Sequence, residues 1–130
     1  MIKAAFALCL LVVAATTVAN EPFIIMAGGE ATSPQQPQAC SSIDGVVHVT
    51  FGIGDQVFYC TIAGKRCTTP SVAFRIPNMS LGMRRGPRIA QFGTCVTITA
   101  IGGAEGKGRD GDVLAYRSTD GGNVLVKREV

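Results

Sequence analysis

The sequence has no tryptophan and a single histidine, His48. One histidine excludes zinc sites built on two, and no Cys-x-x-Cys pair stands in for them, so no metal is expected. Gly-x-Ser-x-Gly and His-Glu-x-x-His are both missing, which removes two common hydrolase signatures. Aromatic residues make up only 6% of the chain and charged ones 16%. That leaves little for stacking nucleic-acid bases, and a net charge of +3 is too mild to demand a nucleic-acid partner. No long segment carries a helical apolar stripe, and the 16 glycines and 6 prolines oppose long helices. Beyond the N-terminus no apolar run approaches the ~20 residues of a membrane span.

What is present begins with "MIKAAFALCLLVVAATTVA". A basic Lys3 precedes an apolar run from Ala4 to Val13, and Thr17-Val18-Ala19 offers a small-x-Ala cleavage site. This is the layout of a secretory signal peptide, residues 1–19. Residues 20–39 read as a flexible N-terminal arm: "GGEATSPQQPQA" is rich in glutamine and proline and has no apolar period. The apolar "PFIIMA" ahead of it suits either an edge strand or the remains of a pro-segment. The folded domain is expected over 40–130.

Removal of the leader takes Cys9 with it and leaves Cys40, Cys60, Cys67 and Cys95. Four cysteines in an exported domain read as disulfides. They allow three pairings, and spacing does not choose among them. The pairing we expect joins Cys60 to Cys67 as a short loop and Cys40 to Cys95 as a long brace.

Within the domain the apolar period is two. "GVVHVTFG", "QVFYCTI", "SVAFRI" and "CVTITAI" alternate, and "DVLAYR" and "NVLVKR" follow. β-branched and aromatic runs of this length suit half-buried strands. Turn residues separate them: "GIGD", "AGKR", "NMSLG", "RRGP" and "TDGG". The sequence therefore predicts an all-β fold, a small antiparallel sandwich or barrel of six to seven short strands braced by disulfides.

Several candidate sites emerge. "GGAEGKGRDGD", residues 102–112, lacks the spacing and the following helix of a phosphate cradle. It reads as a surface connection between strands, with weak calcium binding by Asp110 and Asp112 as the alternative. Arg84, Arg85 and Arg88 cluster in "MRRGPR", and Arg75 lies one strand earlier. Arginine forks suit carboxylates and phosphates, so these four form the candidate binding surface, beside exposed strand edges that could pair with a partner's strand. His48 is flanked by Asp44 and Asp55 and is the only candidate general base, the basis of a third, ribonuclease-like reading. Asn78-Met79-Ser80 is an N-glycosylation acceptor.

Cys40 stands before the first alternating run, and Cys95 stands at the start of "VTITAI". With its leader and strand-only pattern, the stretch from Cys40 to Tyr116 resembles the MAX family of small effectors secreted by plant-pathogenic fungi. The resemblance implies a six-stranded β-sandwich, a conserved disulfide placed much as Cys40–Cys95 would be, no catalytic residues, and activity by binding host proteins. Cys60 and Cys67, the arm and the C-terminal hairpin depart from that family's minimal pattern. The expected function is that of a secreted effector, extracellular or delivered into host cells, whose partner is a host or target-cell protein. No enzyme activity, cofactor or nucleic-acid partner is expected. The alternative is a secreted toxin or antimicrobial protein acting on membranes or competing cells.

Overall fold

The alternating runs become strands in a computed structural model, which describes residues 24–26, 33–105 and 112–128. The signal peptide expected over 1–19 lies outside the described residues. Nine strands form among the described residues, where six or seven were expected: β1 Gln35–Ser41, β2 Val47–Ile53, β3 Gln56–Ala63, β4 Arg66–Cys67, β5 Ser71–Arg75, β6 Arg88–Phe92, β7 Cys95–Gly102, β8 Asp112–Ser118 and β9 Val126–Arg128. Every ladder is antiparallel. The described residues contain no helix.

Sheet A runs β1-β2-β3, with the short β4 and β5 both pairing with the far edge of β3. Sheet B is the meander β6-β7-β8-β9. Short turns dictate this order, since consecutive antiparallel strands need only a tight connection. The glycine-rich stretch joins β7 to β8: Gly102 and Asp112 face each other at the loop end of that hairpin. Asp110 lies outside the described residues.

The core sits between the sheets. Val57, Tyr59 and Phe74 of sheet A meet Val96, Ile98 and Ala100 of sheet B, with Ile76 and Met79 from the crossover. Phe74 stacks on Tyr116 of β8 with ring centroids 3.6 Å apart and planes 5° from parallel. The sandwich expected from the sequence is thus observed.

Three details differ from expectation. The sheet begins at Gln35, not Cys40, so the last residues of the expected arm form an edge strand. Pro37 is tolerated there because an edge strand leaves some N–H groups unpaired. The register shifts between Gln35 and Gln38, a bulge that blunts the edge. The second difference is β6, whose "RIAQF" is too short and mixed to signal a strand alone.

The third concerns which faces are covered. His48 and Thr50 of β2 share the inner face with Val57 and Tyr59, so Val47, Val49 and Phe51 point away from sheet B. There they join Phe58, Cys60 and Ile62 in a second apolar cluster on the outer face of sheet A. Phe51 and Phe58 stack with centroids 5.3 Å apart. β3, expected to be half-buried, is apolar on both sides, whereas β2 turns its apolar side chains outward and His48 and Thr50 inward.

Candidate binding surfaces

The four arginines do not form one surface. Arg75 ends β5, on one edge of sheet A, and bonds Asp55 Oδ1 at 3.2 Å. Arg84, Arg85 and Arg88 lie at the opposite edge. Their loop passes so close to β1 that a Cβ on Gly86 would lie 2.1 Å from Gln36 Cβ. Three strand spacings, ~14 Å, separate the two edges. The guanidinium of Arg88 donates to the carbonyl of Arg84, which ties the loop into one exposed basic turn. The structure brings together three of the four.

The cysteines divide as well. All four are thiols. Cys60 and Cys67 are in side-chain hydrogen-bonding contact on the outer face of sheet A. Burial, with the neighbouring Cys67, pushes the Cys60 thiol up to about 12. Cys40 faces His48 across the β1–β2 ladder, on the inner side of sheet A. Cys95 faces Phe92 on the outer side of sheet B, where Arg117 Nη2 donates to its sulfur at 3.1 Å. The long Cys40–Cys95 brace expected from the sequence is therefore not formed. The pleat points the two sulfurs in different directions, and joining them would require β7 to turn over. Peptide mapping of exported protein under non-reducing conditions should recover Cys60 linked to Cys67, with Cys40 and Cys95 unlinked.

His48 is 5% exposed. Its Nδ1 lies 2.6 Å from the Tyr59 hydroxyl, which is 3.4 Å from the Gly121 carbonyl. Both contacts are satisfied if Nδ1–H donates to Tyr59 and Tyr59 donates to Gly121. The chain of bonds clamps sheet A to the β8–β9 turn of sheet B. Burial holds the His48 pKa below its usual value, against the opposing pull of the Asp44 carboxylate. Burial also pushes Tyr59 up to about 12. Asp55, the other carboxylate flanking β2, is engaged with Arg75 at the far end of the strand. A cleft of about 410 Å³ opens beside His48, lined by Ser42, Asp44, Thr61, Gln91 and Thr94 among others. Sequence reasoning found the histidine but not its tyrosine, which is eleven residues away and placed by strand register.

The lowered His48 pKa has a definite sign. The unfolded chain takes up the proton first as pH falls, so the stabilisation is complete above ~6.5 and is lost as pH drops through the folded-state value. His48→Gln should flatten the slope of unfolding free energy against pH below ~6.5, measured by urea titration at several pH values.

Asn78, the glycosylation acceptor, is exposed, but its Nδ2 donates to the carbonyls of Gly103 and Ala104 at 3.1 and 3.4 Å. A glycan there would have to displace those bonds.

The outer face of sheet A is the feature that sequence reasoning missed. Val49, Phe51 and Cys60 form its buried centre, ringed by Val47, Ile53, Phe58 and Ile62. Val72 of β5 lies on the same face and is 41% exposed. Lys65 and Arg66, exposed in the β3–β4 turn, and Arg75 stand at its margins. Among the described residues, the one apolar side chain packed on this cluster from outside the sheet is Ile25. The outer face of sheet B alternates Thr97, Thr99 and Arg117 with Phe92, Val113 and Val126, which are half or more exposed and belong to no buried cluster among the described residues. The signal was in β3, "QVFYCTIA", whose near-continuous apolar run suits a strand covered on both sides. Comparison with family models, with curated proteins and with solved structures finds no match to this chain.

Proposed function

We propose that this chain is a secreted β-sandwich, whose adjacent Cys60 and Cys67 thiols are oxidised to a disulfide outside the cell, that acts by binding a host or target-cell protein. The observation that carries the reading is the outer face of sheet A. Antiparallel sheets usually turn one face to water, and an apolar face left partly open marks a contact surface. Lys65 and Arg66 at its margins favour a partner with an apolar centre and an acidic rim, while Arg75 is already paired with Asp55. The turn of Arg84, Arg85 and Arg88 adds a second positive patch that would speed encounter with the same acidic protein. Two small antiparallel sheets also support, at the level of architecture, the likeness to MAX effectors. Export itself rests on the leader-like N-terminus.

The test compares variants in capture from target extract. Val72→Glu, at an exposed position, should weaken capture at least tenfold while leaving the circular dichroism spectrum unchanged. Reversing Arg84, Arg85 and Arg88 to Glu should mainly remove the salt-sensitive part of the association. Unchanged capture by Val72→Glu would move the contact off this face. Leakage from anionic vesicles at the same concentrations would replace the reading with that of a membrane-active toxin.

A further inference from the structure

The outer face of sheet A already has an occupant. Ile25 packs against the Val49–Phe51 cluster, while its neighbours Ile24 and Met26 are 81% and 37% exposed. Among the described residues of this segment, Ile25 is the side chain packed on the cluster. Residues 24–26 belong to no strand and join neither sheet. Between them and the sheet lies a cleft of about 300 Å³, bordered by Pro34, Pro37, Val49 and Phe51. Protein interiors are close-packed, and an element of the core would leave no such gap. The segment rests on the face as a bound peptide rests in a groove.

We propose that Ile24–Met26 is an intramolecular ligand of the outer face of sheet A, holding the docking surface closed until an apolar segment of the partner displaces it. The inference rests on the binding reading above and adds its regulation. In the sequence only residues 27–34 separate the segment from β1. A tether so short raises its local concentration to roughly millimolar, so even a weak contact keeps the face occupied. The partner's competing segment must therefore be apolar, with a branched side chain at the position of Ile25. Cleavage within the tether would free the face permanently.

The test uses the full exported chain. Ile25→Asp removes the half-buried side chain through which the occupant touches the cluster and lies outside both sheets. A fluorescent heptapeptide with the sequence of residues 21–27 should bind this variant at least tenfold more tightly than the wild type, and the dye anilinonaphthalene sulfonate should brighten several-fold. A heptapeptide carrying Asp at the Ile25 position should bind neither protein. Equal peptide binding to variant and wild type, or none to either, overturns the proposal. So does a variant that dimerises without binding peptide, because the face would then belong to a second copy. These readouts need no target. Loss of the partner reading leaves them standing, and their failure leaves the capture experiment standing.

Discussion

Phe74→Ala is expected to lower the free energy of unfolding by ~3–5 kcal/mol. Phe74 is 8% exposed, and its ring covers Tyr116 of the opposite sheet at 3.6 Å. Truncation removes the apolar burial and leaves a void between two sheets whose backbones are fixed by their own ladders. Collapse into that void is limited, so the cavity cost adds to the lost transfer energy. Domains of this size have a total stability of ~5–15 kcal/mol. The substitution should therefore move the urea midpoint by more than ~1 M, given slopes of ~1–3 kcal/mol/M. Phe92→Ala is the control. Phe92 is 89% exposed on the outer side of sheet B, and its loss should cost no more than ~0.5 kcal/mol. Equal effects for the two would mean that the sheets do not meet face to face at Phe74.

Gly122→Ala should cost ~2–5 kcal/mol, from left-handed backbone strain and overpacking together. Gly122 has φ of +98°, and a Cβ there would lie 2.1 Å from the Tyr59 hydroxyl and 2.7 Å from Cζ. Tyr59 cannot retreat without breaking its bond to His48. Gly121, with φ of +78°, has open space where its Cβ would go. Gly121→Ala carries only the backbone strain, ~1–2 kcal/mol. The difference between neighbouring substitutions measures the clamp. Tyr59→Phe in the Gly122→Ala background should recover part of the loss by removing the colliding oxygen. The two changes would then be non-additive, as residues in contact are. Additive costs would show that the turn does not press on Tyr59.

The strands that alternate strongly, β2, β3, β5, β7 and β8, were legible because period two survives any packing arrangement. β1 was not. "QQPQACS" has the composition of a linker, and becomes a strand because β2 offers it a ladder. The cysteine pairing was out of reach for a related reason. Whether a sulfur points inward depends on register, and one residue of shift reverses every side chain. Cys60 and Cys67 lie together because a two-residue turn folds β4 back on β3. Cys40 and Cys95 sit on different faces of different sheets. The arginines show the same limit: Arg75 and Arg84 are nine residues apart, yet the crossover carries them to opposite edges. The outer apolar face was written in the near-continuous apolar run of β3, but such a run does not say what covers its second side.

The most direct test places a photo-crosslinking phenylalanine analogue at position 72, on the outer face of sheet A, or at position 97, on the outer face of sheet B. Each protein is irradiated in target extract. An adduct of one defined protein from position 72 and none from position 97 is the expected result. An adduct from position 97 alone, or the same adducts from both, would contradict a contact surface on sheet A.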